Sequence, residues 1–105
     1  MVDDDPFATW FDALEHMESE ISKIDFDVAI LGCGAYGMPL ATYIKRDLGK
    51  KAIHLGGNTQ ILFGILGSRW IADPQFKHIF NSHWIKPLTS ETPSGHLNID
   101  ENCYW

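Results

Sequence analysis

The run Phe26-Asp27-Val28-Ala29-Ile30-Leu31 leads straight into Gly32-Cys33-Gly34-Ala35-Tyr36-Gly37, a GxGxxG, and a helical pattern follows from about Met38 to Leu48. Few folds admit that order. An apolar strand, a glycine turn and a helix in succession specify a β-turn-α unit of an α/β protein. In such a unit the first glycine permits the tight turn, the second lets a phosphate-bearing ligand approach the backbone, and the third lets helix and strand pack closely. The competing reading is a glycine-rich turn that serves only to seat the helix on the sheet.

A dinucleotide fingerprint also needs an acidic residue about 20 residues further on, at the end of the second strand, to hold the ribose hydroxyls. Here that strand reads Lys51-Ala52-Ile53-His54-Leu55 and ends in Gly56-Gly57-Asn58-Thr59, without a carboxylate or an arginine. NAD, NADP or FAD binding therefore becomes the lesser reading. A helical pattern, Thr59 to Leu66, follows the second glycine pair. Two helix N-termini are thus expected side by side at the carboxyl ends of parallel strands, where open α/β sheets place their ligands and where unpaired N–H groups favour an anion. Asn58, Thr59 and Gln60 offer hydrogen bonds there, and Arg69 is the candidate for charge compensation.

Charge is distributed unevenly. Residues 1–27 hold nine acids against Lys23 alone, whereas the remainder is slightly basic. Lys45-Arg46 and Lys50-Lys51 bracket one helix end, where they complement its dipole, so no basic patch argues for nucleic acid. The acidic start is the opposite of a secretory signal and no apolar run spans a bilayer, which gives a soluble, cytoplasmic expectation without membrane contact. Cys33 and Cys103 form neither a disulfide framework nor a zinc motif.

A chain of 105 residues is expected to form one domain: a covering helix over 1–24, a βαβα core over 25–66, and a helix with an aromatic tail over 67–105. Asp5-Pro6 reads as a cap and first-turn proline, after which Phe7, Trp10, Phe11, Leu14, Met17, Ile21 and Ile24 recur at helical spacing. Asp12, Glu15 and Glu18 form its solvated face, and the apolar stripe is expected to cover the sheet. Pro39 is tolerated in the first turn of the next helix and Gly49 stops it. Asp73-Pro74 repeats the start signal, predicting a short helix from about Pro74 to Asn81, and Cys103-Tyr104-Trp105 reads as a docked tail.

Val28 to Leu31 is apolar at every position, the mark of a strand covered on both faces, yet two strands make too small a sheet. Trp84-Ile85 and Leu97–Ile99 could add strands, a second copy or partner chain could extend the sheet, or the chain could be one part of a longer ancestral domain. The last two together are preferred. Asp25-Phe26-Asp27 has the form of a metal-gripping DxD, but it starts the strand, roughly 17 Å from the ligand end. Asp100-Glu101 reads as a solvated tail pair. Cys33, between two glycines near a helix N-terminus, could serve as a nucleophile with His54 as its base, but a structural thiol is the stronger reading. His78 and His83 lack the spacing of a zinc pair.

Asp25 to Gly37, Lys51 to Gly57 and Gln60-Ile61-Leu62-Phe63-Gly64, with the endings Asn81 to Pro87 and Cys103-Tyr104-Trp105, resemble the C-terminal part of longer proteins similar to bacterial glycosyltransferases of the D fold type. The resemblance implies a modified Rossmann fold, consistent with a Rossmann-like parallel βαβ core behind the N-terminal amphipathic helix read from periodicity. It also implies a sugar nucleotide with Mn or Mg, the metal held by a carboxylate motif of an N-terminal half that is absent here. This chain would then keep the glycine-rich wall of the site, Gly32 to Gly37 and Gly56 to Thr59, without the metal carboxylates. The leading expectation is a glycosyltransferase-like module binding a nucleotide sugar or related phosphorylated ligand, inactive alone. The alternatives are a non-catalytic self-associating or partner-binding module and a dinucleotide-binding fragment.

Overall fold

A computed structural model describes residues 6–99, 102, 104 and 105. Two compact units follow one another along the chain, the first ending at Thr59 and the second running Gln60–Trp105. The first contains helix α1 (Trp10–Ser22), strand β1 (Val28–Leu31), helix α2 (Gly37–Arg46) and strand β2 (Lys51–His54). Helix α3 (Thr59–Leu62) spans the boundary, and α4 (Ser68–Ala72) lies in the second unit, followed by short 3-10 turns.

Helix α1 starts at Trp10 because Thr9 caps it: the Thr9 hydroxyl accepts from the Asp12 N–H at 3.2 Å and donates to the Asp12 carboxylate at 2.7 Å. Pro6 and Phe7 precede the helix, and Asp5 lies outside the described residues. Leu14, Met17 and Ile21, at helical spacing, pack with α2 on the cluster Leu31, Leu40 and Ile44. Ile44 is 0% exposed, and burying such a side chain is worth about 2 kcal/mol. Gly49, at φ +65°, ends the α2 segment, since that conformation strains any residue with a Cβ.

Strands β1 and β2 pair in parallel, with Val28 opposite Lys51 and Leu31 opposite His54. Alternation sends Ala29, Leu31 and Ala52 to the core. Val28, Ile30 and Ile53 take the opposite face and are 43%, 49% and 50% exposed. The apolar run of β1 therefore does not mark a strand covered on both faces. Helix α1 packs onto α2 instead of across this open side.

Neither candidate extra strand joins the sheet. Ile85 forms an isolated parallel bridge with Ile65, through Leu66 N–H to Ile85 O at 2.7 Å and Ile85 N–H to Gly64 O at 3.0 Å. The other candidate, Leu97–Ile99, is occupied largely by a 3-10 turn, His96–Asn98. The helix expected from Thr59 to Leu66 ends at Leu62, where Gly64 takes φ +66° and redirects the chain to that bridge. In place of the helix expected from about Pro74 to Asn81, the chain makes a turn, with the Asp73 carboxylate accepting from the Gln75 N–H at 2.9 Å, and then a short 3-10 helix, Lys77–Ile79; the regular helix precedes both as α4.

The tail docks within the second unit. Gln60 Nε2 donates to the Tyr104 carbonyl at 3.0 Å, Ser68 Oγ donates to Trp105 O, and the Arg69 guanidinium stands 5.2 Å from the Tyr104 ring centre. Cys103 and Asp100-Glu101 lie outside the described residues. No helix among the described residues is long and apolar enough to cross a membrane.

Candidate functional site

Both strands of the first unit end in the same device. After β1 the chain makes a 3-10 turn over Gly34–Tyr36 and enters α2; after β2 it makes one over Gly56–Asn58 and enters α3. Gly34 opens the first at φ +53° and Gly56 the second at φ +56°, and both have open space where a Cβ would stand. A left-handed residue at each point turns the chain sharply enough to aim the following amides away from the strand.

The two turns touch. A Cβ on Gly32 would collide with the Thr59 hydroxyl, lie 2.7 Å from Thr59 Cβ and 3.1 Å from the Gly56 carbonyl oxygen. Gly32 thus lacks a side chain because the second turn occupies that space. Gly37 has the corresponding role toward His54, whose imidazole would stand 2.7 Å or less from a Cβ there, so helix and strand approach as closely as the third glycine of such a motif allows. Gly32 and Gly37 are closed over by the protein's own side chains, whereas Gly34 and Gly56 remain open.

The available amides are fewer than two full helix N-termini would supply. Tyr36 N–H bonds Cys33 O at 3.1 Å and Asn58 N–H bonds Leu55 O at 3.2 Å. The N–H groups that open each turn, at Gly34 and Ala35 and at Gly56 and Gly57, are those a helical ladder leaves without a partner. Helix α2, with ten residues, carries a useful dipole; α3, with four, adds little. Thr59 Oγ1 is buried against Gly32 without a hydrogen-bond partner.

Tyr36 stacks on Trp10 of α1 at 5.2 Å with the rings 8° from parallel, pinning the first turn to the covering helix. Sequence periodicity assigns Trp10 to the core stripe but gives no sign of this pairing. Cys33 is half-buried against the core, and desolvation pushes its thiol up from the ordinary range, which disfavours a nucleophilic thiolate. His54 Nδ1 lies 3.4 Å from the Leu31 carbonyl oxygen.

Two expected contributors stand in the second unit. The Gln60 amide donates to Tyr104 O and accepts from Trp70 Nε1 at 3.2 Å. The Arg69 guanidinium stands 5.8 Å from the Trp70 ring centre as well as near Tyr104. At the opposite end of the first unit, Phe26, Asp27, Gly49, Lys50 and Lys51 line an open cleft. Lys50 Nζ donates to Phe26 O at 2.6 Å and approaches Asp25 at 3.5 Å. Asp25 and Asp27 therefore flank the start of β1, away from the glycine turns. Among the described residues no three His, Cys, Asp or Glu side chains gather to hold a metal.

Two parallel strands, each running through a glycine turn into a helix, define an α/β protein that presents backbone amides at the carboxyl ends of its strands. The chain belongs to the family described as the GT-D fold-like domain, which matches residues 7–62, just over half of its length. This places it with a glycosyltransferase-related fold. No curated protein and no solved structure matches it.

Proposed function

We propose that the first unit binds a nucleotide sugar or a related phosphorylated ligand across its two glycine turns, as the ligand-holding wall of a glycosyltransferase-like site. The observation that carries the reading is the contact of Gly32 with Gly56 and Thr59, which puts the two amide-bearing bends side by side. A diphosphate suits such a pair, because each phosphate meets a group of backbone N–H donors and the α2 dipole adds a partial positive charge. Thr59 Oγ1 would donate between them, and Asn58 would bond the polar part of the ligand. Any transfer would proceed by positioning and charge stabilisation.

A thermal-shift panel of UDP- and GDP-sugars, with and without Mn, tests the reading. Stabilisation by at least one member at millimolar concentration is the expected result. No shift, beside a responsive control protein, removes it.

The open sheet face favours a second reading, in which the unit associates with itself or with a partner chain that completes the sheet. Val28, Ile30 and Ile53 form an apolar surface beside strands that hydrogen-bond only to each other among the described residues. Sedimentation at micromolar concentration separates the readings: an oligomer indifferent to nucleotides supports association, and a clean monomer opposes it.

A further inference from the structure

His54, the last residue of β2, is a titratable side chain at the glycine-turn end of the first unit that the amide-based reading leaves unused. Its ring is fixed from two sides. Nδ1 lies 3.4 Å from the Leu31 carbonyl oxygen, and a carbonyl only accepts, so the hydrogen of that contact sits on Nδ1 and the neutral ring keeps a lone pair on Nε2. From the other side the ring lies against the backbone of Gly37, where a Cβ would come within 2.7 Å of Nε2. Backbone groups of β1 and α2 thus set both tautomer and position.

Charge gives the ring a task. Among the described residues, the lysines and arginines of the first unit stand elsewhere: Lys23 caps the end of α1, Lys45 and Arg46 fill the last turn of α2, and Lys50 and Lys51 open β2. His16 is on α1 with its ring 5.0 Å from Phe7. An anion at the turns meets backbone dipoles but no permanent cation of this unit. Asp25 and Asp27 flank the start of β1, at the other end of the strand. The groups shown against the imidazole are the Leu31 carbonyl and Gly37, neither of them charged.

We infer that His54 is the ionisable anchor of the turn site: when a phosphorylated ligand binds, the ring takes one proton from solvent at Nε2 and donates that N–H to a phosphate oxygen, while Nδ1–H stays on the Leu31 carbonyl. No covalent bond of the ligand changes. The inference rests on the reading of the turns as an anion site and assigns the charge compensation of that site to this residue. Binding and protonation are then linked, so affinity rises as pH falls.

Calorimetric titration of the full chain with UDP-glucose and with GDP-mannose tests it, because the diphosphate of either ligand stays fully ionised between about pH 6 and pH 8. Expected is binding about tenfold tighter at the lower pH, the contribution of one charge-assisted hydrogen bond, with proton uptake visible as heats that differ between buffers. In His54→Gln, which keeps an N–H donor but does not titrate, the pH dependence disappears. Equal affinity at both pH values without proton uptake overturns the inference while leaving the turn site standing, as does a dependence that survives in His54→Gln. Absence of binding to either ligand at both pH values removes the turn reading itself. If His54→Gln does not fold, the imidazole carbon resonances of the wild-type chain decide: ligand-induced protonation at His54 supports the anchor, and protonation at another histidine overturns it.

Discussion

The two units are closed by different forces. In the first, Ala13, Leu31, Leu40 and Ile44 are buried, and the side chains around them come from a helix stripe and from strand alternation. In the second, Trp70 is the one large apolar side chain buried among the described residues, while Leu62, Phe63, Ile85, Leu88 and Leu97 remain exposed. Ring pairs hold that unit instead, Trp70 with Phe76 and Phe80 with Trp84, together with the Gln60 amide and the bridge between Ile65 and Ile85. Apolar burial is non-directional and tolerates repacking, whereas rings and hydrogen bonds depend on particular partners.

The sharpest test of this contrast is Ile44→Ala. The lost side chain leaves a cavity in a tightly packed cluster and should cost about 3 kcal/mol, read from denaturant unfolding. Amide exchange should rise across β1, α2 and β2. An equal rise over Gln60–Trp105 would make the two units one cooperative body and break the comparison.

Gly32→Ala comes next, at about 2 kcal/mol, because the methyl group forces the two turns apart against backbone as well as side chain. A variant as stable as the parent that still responds to nucleotide sugars would show that the bends need not touch. In the second unit Trp70→Phe keeps the ring in place and removes its hydrogen bond to Gln60, for a loss of about 1 kcal/mol. A larger loss would mean that this one bond governs the unit. The smallest effect belongs to Thr59→Val, which replaces an unpartnered buried hydroxyl with an isosteric methyl and should be neutral or stabilising by up to about 1 kcal/mol. Destabilisation would reveal a partner for that hydroxyl in solution, and an undiminished ligand response would take Thr59 out of the site.

Legibility in the sequence follows the same division. The β1, α2 and β2 segments were readable to within a few residues, because an apolar run entering a glycine turn, a helical pattern and a glycine past its end are local signals. Local signals misled where two competed: Thr9, three residues before Asp12, made a better cap than Asp5-Pro6, and Asp73 used its carboxylate to close a turn. The open face of Val28, Ile30 and Ile53 was hidden for another reason, since an apolar run records what a strand can bury and says nothing of whether a covering layer is there. Within the candidate site, the glycines were visible from spacing alone, but the side chains they make room for were not. The contacts of Gly32 with Thr59 and of Gly37 with His54 bring together residues 27 and 17 positions apart, beyond the reach of any periodicity. Gln60 and Arg69, expected as ligand contacts, make their contacts in the folded chain with Trp70 and Tyr104, which no sequence pattern announced.

The bare sheet also has a practical side at the bench. A greasy ribbon of Val28, Ile30 and Ile53, on strands whose outer margins pair with no other strand among the described residues, is the kind of template on which one polypeptide recruits the next. Yield and clarity of purified stocks should therefore worsen steeply with concentration. A single lysine in place of Ile30, in the middle of that ribbon, should keep them clear.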